Sequence, residues 1–191
     1  MTKHFFTIYY FCYILKSIFL ATLVLSTVLF SACEQDGFNV SFNLDYSKEF
    51  TIESALVTEL GLPIDVTTPA INTNSSEEFT TNNTSIDRLE NAELTSLKLT
   101  IIAPDGQKFS FVEEVKLYIQ GQGMTEELVA SKVNIDDAAS EIEMDVESTN
   151  LVEHVKSGEF TLRASVTTDE LITEDVDVKA DMTFKVTAEV L

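Results

Sequence analysis

Val176-Asp177-Val178-Lys179-Ala180-Asp181-Met182-Thr183-Phe184-Lys185-Val186-Thr187-Ala188-Glu189-Val190 alternates apolar and polar side chains without a miss. Successive side chains of a strand point to opposite faces, so this period of two predicts a long central strand. Its inward row holds Phe184, and its outward row holds Thr183 and Lys185. The same alternation returns upstream at Phe160, Leu162, Ala164 and Val166, and near the start at Phe38, Val40, Phe42, Leu44 and Tyr46. The phenylalanines of these rows are expected in the core.

Between these segments the signals are shorter. Phe50 to Leu60 is a less regular strand candidate, closed by Gly61-Leu62-Pro63. Val66 to Ser85, dominated by Thr, Asn and Ser with Pro69 inside it, reads as a long loop carrying at most a short edge strand. Ser85 to Asn91 suits one helical turn. Leu97, Leu99 and Ile101 begin a strand that Pro104-Asp105-Gly106 ends. Phe109 to Glu114 reads as a turn of helix under the sheet, and Val115 to Ile119 as a strand that Gly121-Gln122-Gly123 breaks, with Glu127 to Val133 returning as a hairpin. Ile142, Met144 and Val146 give one more strand, and Asn150 to Gly158 has the cap, spacing and terminal glycine of a two-turn helix. Seven to nine short strands with one or two short helices predict an all-β fold, an antiparallel β-sandwich of immunoglobulin-like or similar type.

The first thirty residues differ in kind. Lys3 and His4 precede an apolar run that Lys16 interrupts, and Ser17 to Phe30 is a second run ending in Ser31-Ala32-Cys33. This has the layout of a secretory signal peptide, 1–32, expected as a helix before the sandwich. Read through Lys16, residues 5–32 are also long enough to cross a bilayer of ~30 Å. Leu29-Phe30-Ser31-Ala32-Cys33 resembles a bacterial lipobox. Membership among such lipoproteins implies cleavage between Ala32 and Cys33, a diacylglyceryl group on the Cys33 thiol, and an acylated new N-terminus. It implies a cell-envelope location, lipid-anchored to the outer membrane of a Gram-negative bacterium, periplasmic or surface-exposed. Residues 33–37 then form a tether, whose Glu34 and Asp36 resemble surface-export signals in some groups and retention signals in others, and 38–191 form the sandwich domain.

Cleavage leaves 159 of the 191 residues, one domain's worth, and removes Lys3 and Lys16, which takes the formal charge from −20 to −22. Such a field repels phosphates, so nucleic acid is not an expected partner. Cys12 departs with the leader and Cys33 is blocked, leaving no disulfide. The remaining chain offers one histidine, His154, expected half-exposed on a short helix. A His-dependent nucleophile or a zinc site therefore lacks its parts, and no cofactor is expected. Calcium takes carboxylates alone, and Asp169, Glu170, Glu174, Asp175 and Asp177 form one weak candidate cluster, Asp136 and Asp137 another. Neither fits the EF-hand spacing. With no Trp and only Tyr46 and Tyr118 in the mature chain, aromatic platforms for sugars are scarce. The expectation is a non-enzymatic envelope protein that binds or scaffolds another protein. A carrier of small apolar ligands or lipids stands as the alternative, followed by a glycan-binding or hydrolytic surface lipoprotein.

Overall fold

The row from Val176 to Ala188 lies where the alternation predicts. In the computed structural model, which describes residues 37–73 and 76–190, this segment is strand β10 (Val176–Glu189), with every second side chain buried. It is hydrogen-bonded on both sides, to β1 (Asn39–Ile52) and to β4 (Leu89–Ala103), both antiparallel. With β7 (Glu141–Glu143) on the far side of β4, these make the first sheet, in the order β1-β10-β4-β7. The second sheet runs β2 (Pro63–Thr67), β9 (Glu159–Thr168), β5 (Val112–Gly121), β6 (Glu127–Val133) and β8 (Asp145–Val146), with β3 (Ile71–Asn72) also on β9. The two antiparallel sheets close face to face as a β-sandwich. The compact unit spans Phe38–Leu191.

Short helices sit at the edges. Helix α1 (Ser76–Thr81) buries Phe79, whose ring meets that of Phe42 edge-on at 5.1 Å between centroids. Helix α2 (Val152–Lys156) packs on β4, β5 and β9, and the Asn150 side chain accepts the Val152 amide at 3.1 Å to start it. The centre of the core is aromatic. Phe184 of β10 faces Phe160 of β9 at 5.9 Å, and Tyr46 stands edge-on to both, at 5.6 and 5.8 Å. Rings in this geometry add ~0.5–1.5 kcal/mol per pair to their area burial.

Several expectations need correction. The proposed strand from Phe50 to Leu60 does not form: Phe50–Ile52 finish β1, and Ser54–Leu56 is a single 3₁₀ turn. The reason is Lys48, which occupies an inward position of β1 opposite Ala180 and interrupts the apolar row. The loop from Val66 to Ser85 holds more structure than expected, with β2, β3 and α1 in or beside it. Ile142, Met144 and Val146 do not share one strand. β7 pairs with β4 in the first sheet and β8 with β6 in the second, so the chain crosses between sheets at Met144. Among the described residues there are ten strand segments, against the seven to nine expected, because short edge pieces count separately. Phe38 is 85% exposed rather than core, as it precedes the first paired residue, Asn39.

The inward and outward rows of β10 predict sharply different responses at neighbouring positions. Phe184→Ala removes a fully buried ring and should cost ~3–5 kcal/mol, whereas Thr183→Ala and Lys185→Ala should cost under ~1 kcal/mol. Urea midpoints measured at constant slope would show the contrast. Three similar midpoints would contradict the sandwich.

Candidate functional site

Four connections join the sheets at one end of the sandwich: residues 53–62 from β1 to β2, 104–111 from β4 to β5, 134–140 from β6 to β7, and 169–175 from β9 to β10. The chain enters at the opposite end, at Phe38. Loop composition dictates the local folds. Gly61 and Gly106 take positive φ, 74° and 82°, a conformation that costs a side chain of L configuration. The Asp136 carboxylate accepts the Ala138 amide at 2.9 Å and shapes its own turn. The 3₁₀ turn Phe109–Phe111 buries both of its rings and anchors the second loop from below.

The first and last of these loops are tied together. The Gly61 amide donates to the Thr168 carbonyl at 2.8 Å. Asp175 accepts both the amide and the hydroxyl of Ser54, at 2.8 and 2.9 Å, and these two bonds, the backbone one foremost, hold its carboxyl below the usual carboxylate range. Asp177 accepts the Thr51 hydroxyl at 2.6 Å. Two of the five carboxylates considered for calcium are therefore committed to β1 and the loop after it. Asp169 lines one recess and Glu170 and Glu174 another, so the cluster is dispersed. Among the described residues no group of three or more His, Cys, Asp or Glu is arranged to hold a metal ion.

The end carries two openings. A groove of about 580 Å³ runs between Gly61, Glu113, Glu114, Asn134, Asp137 and Asp169, with Val112 and Ile135 in its lining. Here Asp137 and Asp169, far apart in sequence, come to one groove. A smaller recess of about 140 Å³ lies among Gln107, Ser110, Glu170, Leu171 and Glu174. Exposed leucines crown the same end: Leu60 is 51%, Leu62 53% and Leu171 60% accessible, and Leu56 is exposed beside them. Sequence reasoning passed over them. Their signal was available in that they stand outside any period, in connectors punctuated by Gly, Pro and acids.

Between the sheets, the gap bounded by Phe50, Phe109, Val112 and Val178 amounts to about 10 Å³, about what one water needs. Tyr46 is wedged in the aromatic core, and the Tyr118 ring is covered by the Arg163 guanidinium at 4.2 Å. Arg163 is itself held by both oxygens of Glu126 at 2.7 Å and by Asp65 at 2.6 Å, which raises its affinity for its proton and lowers that of Glu126. This knot fastens β2, β9 and the turn after β5 to one another, a bidentate geometry that fixes position as well as charge.

His154 is the main correction among the site residues. It is 4% exposed, in the buried face of α2, and neither ring nitrogen has a hydrogen-bond partner. A general base needs a nucleophile on one nitrogen and an orienting acid on the other. Neither is there. Cys33 and Ala32 lie outside the described residues.

No family model and no curated protein matches this chain. Among solved structures, the decameric BFDV capsid protein aligns over 80% of this chain and 100% of its own, at 9% identity and a TM-score of 0.40. CpGH89CBM32-5 from Clostridium perfringens, solved in complex with GalNAc-beta-1,3-galactose, aligns over 73% and 94%, at 9% identity and 0.36. Turnip yellow mosaic virus aligns over 82% and 97%, at 12% identity and 0.31. These are likenesses of backbone path in β-sandwiches, and the ligand and the assemblies belong to those proteins.

Asp175→Ala should free the Ser54 amide, visible as a drop in its hydrogen-exchange protection at pH 7. Since the folded-state pKa of Asp175 is depressed, its stabilising contribution is present above the ordinary carboxylate range and is lost as pH falls through the depressed value. Wild type and variant should therefore converge in acid; a constant difference would rule out the ionised carboxylate as the cause. His154→Leu should leave the urea midpoint unchanged or raised, because an unpaired buried imidazole is costly and an apolar side chain of similar size is not. A midpoint lowered by an amount that, multiplied by the slope, exceeds ~1 kcal/mol would mean that the ring nitrogens serve a bound group.

Proposed function

We propose that this chain is a lipid-anchored protein of the cell envelope whose β-sandwich binds another protein and catalyses no reaction. The observation that carries the reading is a set of apolar side chains left exposed at one end, outside a buried apolar core. The gap between the sheets at Phe50, Phe109, Val112 and Val178 is only about 10 Å³, and exposed Leu60, Leu62 and Leu171 at one end give a macromolecule something to cover. Anchoring rests on the sequence. Leu29-Phe30-Ser31-Ala32-Cys33 supplies the thiol for a diacylglyceryl group and the small residue before the cut, and the chain enters the sandwich a few residues later. The reading assigns the protein to the outer membrane, with the sandwich in the periplasm or on the cell surface. A net charge of −20 supports solubility in a crowded envelope and argues against nucleic acid as a partner.

Mass spectrometry of the purified protein tests the anchor. The wild type should begin at Cys33 and carry acyl mass, and Cys33→Ser should accumulate as an uncut precursor, since a hydroxyl does not replace the thiolate as acceptor. A mature N-terminus without acyl mass would overturn the lipoprotein reading.

A further inference from the structure

We infer that the loop end of the sandwich is the docking face for a protein surface that presents lysines and arginines among apolar side chains. The inference rests on the protein-binding reading and gives it a location and a partner chemistry. Leu56, Leu60 and Leu62 on the first loop and Leu171 on the last are exposed at the same end. The two loops that carry them are tied to each other's surroundings by the Gly61–Thr168 backbone bond and by the Ser54–Asp175 contacts. Loops tied in this way have less backbone freedom to lose when a partner arrives, which lowers the entropic cost of association.

Charge selects the partner. In chain order the four loops carry two, one, two and four carboxylates, nine in all, against a single cation, Lys108. Glu113 adds to them along the groove. Three candidate occupants respond differently to this field. An anionic membrane surface is repelled. A second copy of the chain would set the same carboxylates against each other across a two-fold axis. A basic surface is attracted, and its apolar side chains have the leucines to cover. On the second sheet, by contrast, Lys116, Lys132 and Arg163 set cations among the acids, each paired with a carboxylate.

Photo-crosslinking with the full chain in the cells that make it tests the inference. A photoreactive residue is introduced in turn at Leu60 and Leu171 in the loop end, and at Val146 on β8 and Ser41 on β1 as controls. Using two loop positions guards against one substitution perturbing its own loop. Adducts should form at Leu60 and Leu171, and the crosslinked peptide, sequenced by mass spectrometry, should carry Lys or Arg interleaved with apolar residues. Combining either probe with Glu170→Lys and Glu174→Lys should cut adduct yield on the order of tenfold. Adducts to an acidic peptide, to lipid or to a second copy would overturn the inference, as would yields indifferent to the charge reversal. Adducts confined to Val146 or Ser41 would overturn it and leave protein binding standing. Adducts at none of the four positions would sink both.

Discussion

The structure depends on the register of one strand. β10 is bonded along its length to β1 on one side and β4 on the other, so its alternation fixes which face of three strands is inward. A slip of one residue would carry Lys179, Asp181 and Lys185 into the space that Ala180, Met182 and Phe184 fill, and would strip these charges of water in an apolar core. The rings of Phe184, Phe160 and Tyr46 lock that register across the gap between the sheets. In a chain with no disulfide among its described residues, this packing does what covalent staples do elsewhere.

Where the period of two is unbroken, the sequence alone is enough: β9 and β10 were legible almost residue by residue, and β6 was bounded correctly. Where it is broken, legibility fails for physical reasons. The first half of β4 went unread because its buried residues Leu89, Ala92, Leu94 and Leu97 are spaced three, two and three apart. The register against β10 shifts at these two places, each shift adding an extra residue that resets the phase. β1 was cut short at Tyr46 because Lys48 sits on its inward row. An inward charge is one way an edge strand avoids adding a neighbour, and in sequence it looks like the end of a strand.

The site was less legible than the fold. Carboxylates that looked like ligands prove to be fasteners: Asp175 and Asp177 hold Ser54 and Thr51, and Asp136 shapes its own turn. In a chain this acidic, proximity in sequence says little about what a carboxylate does, because chance alone supplies neighbours. His154 misled in the other direction, since a polar side chain on a short helix reads as solvated until the helix is seen packed against three strands. The leucines of the loop end had no period to announce them. Only folding shows that residues more than a hundred positions apart crown the same end.

The crossing at Met144 also governs how this sandwich can move. With β7 and β8 in different sheets and one residue between them, that flank is a spine: the sheets cannot separate there without tearing the pairing to β4 or β6. Any breathing must swing about it and be widest at the flank where β1 lies over β2, where no such crossing binds the sheets. Four connections bar that swing at the loop end, so amplitude gathers at the corner where the chain enters, and α1 is the clasp on it, with Phe79 set against Phe42. Motion in this molecule is thereby sorted by position, with its soft corner at Phe38 and its stiff one at the loop end.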